Sequence, residues 1–454
     1  MDPSPYFQNT PLMKQEWFSS LQKTLYSRYA PKWNAIIGDR IQEEDLGFIQ
    51  DFETKLYQGR ELVGNFSLIL SWLRSIRFFS PFFYERLKGI ALPEGFECIP
   101  FMTREDLQEQ ITDILPEPQS LSRMIINPSS GTTGRPILAP NHPKSIGCYV
   151  PLIEYSLFRH GVSNPHDFLK TSAIQLCNQN KTIVYATCHS LAGGAKFAKI
   201  NLKQSEWPNP DDWNLFIQEE SPCFLSGDPY SFESAMRFGL RYKPKAIHST
   251  ASELTNNLYK KLKEHFDCPI INFYSSNETG PIAYSCPNDP STMHLISPDI
   301  YLELIQDGEP SQRGEVTVSG GRNPFLPLLR YKTGDWGEWV KEPCLCGEKS
   351  PRIRLLEGRR PVFFTDTKGQ LVNPIDISRI LRQDPNILRH QFIETKEGTY
   401  EIHLSILGIL SKEAESLLRK EFLHLLGQDA EIHIMPDLDR KESKSLVFIN
   451  ERND

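Results

Sequence analysis

The segment Ser129-Ser130-Gly131-Thr132-Thr133-Gly134-Arg135-Pro136 sets two glycines and four hydroxyl residues in six positions, just after the apolar run Met124-Ile125-Ile126. A loop of that composition is flexible, and its backbone N–H groups and hydroxyls can surround phosphate oxygens. The lysine and following Ser or Thr of a GxxxxGK[ST] loop are absent, so it is not a P-loop of the NTPase kind. Taken alone, the segment also fits an ordinary polar turn. Two later segments set acidic, hydroxyl and aromatic side chains beside glycines. Tyr274-Ser275-Ser276-Asn277-Glu278-Thr279-Gly280 follows a strand-like run, and Arg330-Tyr331-Lys332-Thr333-Gly334-Asp335 follows a Pro-containing stretch. A lone acid is usually a solvated charge and a lone Tyr after a strand is usually core, so the weight rests on the three segments together.

Holding these segments requires a scaffold. From about 123 to 330, strand-like runs such as 123–126 and 269–274 alternate with helical ones such as 252–266, the pattern of an α/β domain. Residues 12–92 place Trp17, Phe18, Leu21, Leu25, Leu68 and Leu73 at helical spacing, which predicts a helical section within 1–120 whose aromatics are core. Runs at 301–305 and 315–318 around Asp307-Gly308 predict a hairpin. After Gly358-Arg359 the pattern changes. A strand near 362–365, a helix at 375–384, strands at 390–395 and 400–407, a helix at 412–426 stopped by Gly427 and a strand at 431–435 follow one another. That β-α-β-β-α-β order is ferredoxin-like and marks a small α+β domain. The expected division is a large domain over 1–357 and a small, mobile one over 358–454.

Composition bounds the rest. The chain has 454 residues, 50 Lys and Arg against 57 Asp and Glu, and a net charge of -7, which gives no electrostatic reason to bind nucleic acid. The N-terminus lacks a signal-peptide pattern, and the densest apolar run, 66–73, is too short to span a bilayer, so neither nucleic acid nor membrane is expected and the expected location is cytoplasmic. Nine cysteines are an odd number, which puts metal or free-thiol roles ahead of a complete disulfide framework.

In this order and at these separations, the three polar segments resemble the phosphate loop, the YGxTE-like segment and the YRTGD-like segment of the adenylate-forming superfamily of acyl-CoA synthetases and adenylation domains. Pro327-Leu328-Leu329-Arg330-Tyr331-Lys332-Thr333-Gly334-Asp335, Cys344-Leu345-Cys346-Gly347 and Pro351-Arg352-Ile353 narrow the resemblance to the phenylacetate-CoA ligase family, over roughly 120 to the C-terminus. The resemblance implies that a small carboxylic acid and MgATP give an acyl-adenylate, from which a thiol takes the acyl group. It also implies roles. Ser129, Ser130, Gly131, Thr132, Thr133 and Gly134 would cradle phosphates, with Ser252 and Glu253 also at the nucleotide. Glu278 would hold Mg²⁺, Asn277 would stand by the α-phosphate where the family usually has Thr or Ser, Tyr274 would lie against adenine, and Asp335 would take the ribose hydroxyls. Arg359 would reach the ribose or phosphates, Lys444 the reacting carboxylate and α-phosphate. Gly193, Gly194 and Ser275 would line the acid pocket, as would the stretch around Ser226. Arg360-Pro361 replaces the family's acidic hinge, and Ser443 replaces a glycine in its RxEGK turn. A proline at the hinge restricts the small domain's swing or moves it elsewhere.

Cys286 and His294 follow Glu278, and Cys344 and Cys346 follow Asp335. Three thiolates and one imidazole make a closed tetrahedral Zn²⁺ set, and the resemblance puts both pairs on neighbouring elements, although free buried cysteines are also frequent. The expectation is thus an AMP-forming acid-thiol ligase using ATP, Mg²⁺ and a structural Zn²⁺. Its acceptor would be CoA or the phosphopantetheine of an acyl or peptidyl carrier protein, and its assembly a homodimer. Two alternatives stand beside it: a nucleotide-binding homologue that has lost catalysis, and an adenylating enzyme that delivers to an amine.

Overall fold

The structure, a computed structural model, describes residues 2–60, 63–116, 123–128, 137–163, 166–357, 362, 364–381, 383–384, 386–406, 409–435 and 448–451. The chain divides into two compact units, one of 1–127, 138–177 and 183–359, the other of 128–137, 178–182 and 360–454.

The first unit begins with the expected helices. Gln15–Leu25 buries Trp17, Phe18, Leu21 and Leu25 on one face. Glu43–Gln58 starts at a capping box, in which the Asp45 carboxylate accepts the Gln42 N–H at 2.9 Å. Five parallel strands form one end of a large sheet, flanked at its edge by the antiparallel Tyr185–Cys188, in the spatial order Lys196–Asn201, Thr171–Cys177, Phe224–Gly227, Ala246–Ser249 and Ile270–Ser276. They read as near-continuous apolar runs because both faces are covered; Ala173, Ile174, Phe224, Leu225, Ile247 and Ile271 are all buried.

Beyond Ile270–Ser276 the pairing turns antiparallel, through Gly280–Ser285, Met293–Leu295, Arg352–Glu357 and Leu328–Val340. The predicted hairpin follows. Tyr301–Gln306 pairs with Arg313–Gly320 on one side and with the short strand Glu309–Pro310 on the other, the latter through a two-residue turn in which both Asp307 (φ 53) and Gly308 (φ 88) take the left-handed conformation it needs. Among the described residues no helix is long and apolar enough to cross a membrane.

In the second unit the helix Lys412–Leu426 has the predicted bounds, because Ser411 caps its N-terminus through the Ala414 N–H and Gly427 ends it at φ 76. It packs Leu418, Phe422 and Leu426 on Phe392, Ile402 and Leu404 of the sheet. That sheet runs Ala430–Ile434, Tyr400–Ile406, Ile387–Glu394, Phe448–Asn450. The element order matches expectation with two additions. Phe364–Thr365 folds back on Leu371–Val372 as a separate small hairpin, and Phe448–Asn450 takes the place beside Ile387–Glu394. The cause of the first is local: Asp366 accepts the N–H groups of Lys368 and Gln370, and Gly369 turns at φ 75.

Candidate active site

In open α/β sheets, ligands bind outside the carboxyl ends of the parallel strands. Here those ends carry Ser226, the loop 250–255, and the turn after Ser276. Thr250 joins all three strands, its N–H donating to Gly227 O at 3.1 Å and its Oγ1 lying 3.0 Å from Ser275 Oγ. Ser252 and Glu253 are in this loop, half-buried, and so share the edge with Ser275. Behind them Ser226 Oγ meets His248 Nδ1 at 3.1 Å; burial pushes that imidazole down to about 3 and keeps it neutral.

The turn 277–279 connects Ile270–Ser276 to Gly280–Ser285. Gly280 is required there, since it sits at φ 67 and a Cβ would come within 2.6 Å of the Tyr149 hydroxyl. The turn is held by Ser276 Oγ, 2.9 Å from Thr279 Oγ1. It presents Asn277 exposed and Glu278 half-buried, and Glu278 Oε1 accepts the Tyr331 hydroxyl at 3.0 Å. Tyr274, on the strand that leads into this turn, has its hydroxyl 3.1 Å from both Asp335 Oδ2 and Thr333 Oγ1. Burial, reinforced by the Asp335 charge, raises the phenol well above its ordinary value, so Tyr274 stays a donor to that carboxylate. The two motif segments are therefore stitched together twice.

Sequence reasoning missed the residues that do the stitching. Tyr331 and Thr333 lay inside the motif without a role. Arg330, another motif residue without an assigned role, is 1% exposed: its guanidinium pairs with Glu303 at 3.1 Å and donates to Ile99 O. It takes φ 50, and the Met102 N–H and carbonyl bond the backbone on either side of Tyr331. Arg330 is thus a staple that holds the motif strand against the N-terminal section.

Gly193 and Gly194 are not brought to this edge. They precede Lys196–Asn201, at the amino end of the parallel run, whereas Ser275 and Glu278 stand at the carboxyl end. Gly194 has a packing reason, because at φ 84 a Cβ would lie 2.3 Å from the Trp17 ring. Ser129, Ser130, Gly131, Thr132, Thr133 and Gly134 lie outside the described residues, as do Arg359 and Lys444.

The cysteine and histidine set does converge. Cys286 ends Gly280–Ser285, His294 lies on the next strand, paired with Tyr284 and Arg352, and Cys344 and Cys346 sit on the turn that leads to Arg352. Sheet order alone thus gathers the four side chains, whose ligand atoms lie within 4.8 Å of one another. Cys286 Sγ is 3.4 Å from Cys344 Sγ, which is 3.2 Å from Cys346 Sγ, itself 3.3 Å from His294 Nε2. His294 Nδ1 faces Ser350 O at 3.3 Å, which leaves the Nε2 lone pair toward the sulfurs. Burial pushes His294 down to about 4 and Cys286 up to about 12.

Glu348 anchors this turn. It accepts from Tyr155, from Tyr284 and from the Ser350 N–H, and pairs with Arg60 at 3.3 Å and Arg159 at 3.6 Å. Burial would raise its carboxyl, but Arg60 and the Tyr155 hydroxyl outweigh it and hold it at about 2. Arg159 also donates to Cys346 O at 2.9 Å.

No protein-family model matches the chain. Over 342 residues it is 24% identical to phenylacetate-coenzyme A ligase of Thermus thermophilus, spanning 70% of this chain and 75% of that one. It is 20% identical over 323 residues to Protein CapK of Staphylococcus aureus, spanning 68% and 69%. A solved structure of 2-hydroxyisobutyryl-CoA ligase in complex with 2-HIB-AMP and CoA superposes with a TM-score of 0.51 at 15% identity, covering 88% of this chain and 90% of that chain. The same ligase in its postadenylation state gives 0.51, with 85% and 89% covered. At such identity a superposition establishes the fold. The chain is thus similar over about two thirds of its length to phenylacetate-coenzyme A ligase, and it shares its fold with a solved acyl-CoA ligase.

Proposed function

We propose that the chain activates a small carboxylic acid with ATP as an acyl-adenylate and then passes the acyl group to the thiol of coenzyme A. The observation that carries this is the pairing of Tyr331 with Glu278 and of Tyr274 with Asp335, which fixes two carboxylates from separate motifs at one strand edge. In the first step a carboxylate oxygen attacks the α-phosphorus and pyrophosphate leaves. In the second a thiolate sulfur attacks the acyl carbon and AMP leaves with the bonding pair.

Asp335, oriented by the Tyr274 hydroxyl, accepts bonds from the ribose hydroxyls. Ser275, beside Thr250, faces the acid, and Ser252 and Glu253 border the nucleotide. Glu278 has a second carboxylate oxygen besides the one Tyr331 engages, which suits Mg²⁺, an ion that takes one or two carboxylates plus phosphate oxygens and waters. Bound there, Mg²⁺ would neutralise charge developing on the phosphates. Asn277 offers an amide at the same turn. Arg359, Lys444 and the loop 129–134 are assigned from sequence alone.

Cys286, His294, Cys344 and Cys346 are read as a structural Zn²⁺ set. Gly280 and Cys286 are six residues apart on one strand, so about 20 Å separates this set from the Glu278 turn, too far for a catalytic part. Four protein ligands would also leave no position for a reacting water.

The deciding experiment is pyrophosphate release with MgATP over a panel of aliphatic and aromatic acids, followed by thioester detection with CoA. Acid-dependent release and acyl-CoA formation are expected. Release that needs a carrier protein would change the acceptor, release with transfer only to amines would make the chain an amide-forming enzyme, and no release with any acid would leave a nucleotide-binding homologue.

A further inference from the structure

The tripeptide Glu-Ile-His occurs twice in the second unit, as Glu401-Ile402-His403 and Glu431-Ile432-His433. The two copies lie on adjacent parallel strands, in register: Glu401 is opposite Glu431, Ile402 opposite Ile432 and His403 opposite His433. Alternation along a strand sends the isoleucines to one face and the other four side chains to the other. Ile402 is fully buried in the core under the helices, and Ile432 packs against that core. On the opposite face stand two imidazoles and two carboxylates in a compact square. The His403 and His433 ring centroids are 5.3 Å apart and nearly perpendicular, His403 Nε2 is 3.1 Å from Glu401 Oε2, and His433 Nε2 is 3.8 Å from Glu431 Oε1.

We propose that Glu401, His403 and His433, with Glu431 at the rim, form a second metal site, for a late first-row divalent ion such as Zn²⁺ or Ni²⁺. The ligand atoms of Glu401, His403 and His433 lie within 4.8 Å of one another. Two ligands at about 2.1 Å from a shared ion stand at most about 4.2 Å apart, so a small side-chain rotation closes the set. Imidazole with carboxylate favours Zn, Ni and Cu over Mg and Ca, which prefer all-oxygen surroundings. Three protein ligands leave positions on the ion for water or an incoming donor, unlike the closed set around Cys286. An ion here would also rivet Tyr400–Ile406 to Ala430–Ile434, adding to the backbone ladder and the His403–His433 ring contact.

Equilibrium dialysis of the full chain against Ni²⁺ tests the site, with citrate present to remove loosely held ion. About one Ni²⁺ per chain is expected. His403→Ala and His433→Ala should each weaken binding at least about tenfold, since even groups that merely orient a ligand are worth 10- to 100-fold. The paired change Cys344→Ser with Cys346→Ser should leave this ion in place. Metal-free melting temperatures of the histidine variants should match wild type, because both side chains lie on the partly exposed face. A Co²⁺ spectrum gives a second readout: this ion should absorb weakly, without the intense thiolate charge-transfer band. Equal Ni²⁺ binding in wild type and in the double histidine variant would overturn the proposal. So would a thiolate band accounting for all bound Co²⁺.

Discussion

Tyr331 Oη donates to Glu278 Oε1 at 3.0 Å, joining two segments that lie 53 residues apart in the chain. The bond fixes one carboxylate oxygen and so aims the other. It makes Tyr331 a positioning residue, and the two side chains should fail differently when removed.

Glu278→Gln should lower acid-dependent pyrophosphate exchange at least about a hundredfold, because it removes the proposed ligand of an ion that stabilises transition-state charge by several kcal/mol. Tyr331→Phe removes one hydrogen bond to a carboxylate, worth about 1.5 kcal/mol at the low end of such bonds, and should cost about tenfold. Raising Mg²⁺ should recover part of the Tyr331→Phe loss and little of the Glu278→Gln loss. Exchange rates at several Mg²⁺ concentrations check both, and equal losses unaffected by Mg²⁺ would remove the ion from Glu278.

Protein purified without added metal should hold about one Zn²⁺ per chain, read by elemental analysis. Replacing Cys344 and Cys346 by Ser should abolish it and lower the melting temperature, while activity per folded molecule changes little, since the ion would bind two turns far from Glu278. A metal-free preparation of normal stability would sink this assignment.

How much of this was legible in the sequence depends on the range of the interaction. Helix 412–426 was legible to the residue because Ser411 and Gly427 cap it locally, and the hairpin at Asp307-Gly308 because both residues tolerate the left-handed conformation. The convergence of Cys286, His294, Cys344 and Cys346 was legible because few residue types can ligate a metal, which singles out their spacing. Arg330 was not, since its partners Glu303 and Ile99 come from segments that meet it only in the folded sheet. Glu348 was hidden likewise among surface-like charges, although it is more than nine-tenths buried. Gly193-Gly194 looked like a pocket motif, whereas the Trp17 ring explains the second glycine.

Glu348→Gln tests that buried network. Breaking a buried ion pair by removing one partner typically costs about 3–5 kcal/mol, because the remaining charges lose their compensation. Arg60 and Arg159 would be left in that position, so chemical denaturation should show a loss of this order. Tyr155→Phe should cost less, and the double variant less than the sum of the two, with a coupling of about 1 kcal/mol or more. Additive effects would mean that Tyr155 and Glu348 do not act together.

Asp335 decides whether the strand edge binds a nucleotide in the proposed sense. A carboxylate that accepts from ribose hydroxyls contributes a charge-assisted bond, worth about 1.5–3 kcal/mol. Asp335→Ala should therefore raise the KM for ATP about ten- to a hundredfold in pyrophosphate exchange. A general disturbance of the strand would do the same, so the informative comparison uses deoxy-ATP lacking one ribose hydroxyl. Wild type should discriminate against the hydroxyl-deficient nucleotide that loses the Asp335 bond, and Asp335→Ala should treat both nucleotides alike, since the group that told them apart is gone. Tyr274→Phe should fall between, because Asp335 keeps its charge but loses the phenol hydroxyl 3.1 Å away that orients it. Retained discrimination in Asp335→Ala would place the ribose elsewhere, and would leave the Tyr274 and Asp335 pair as a structural tie between two strands.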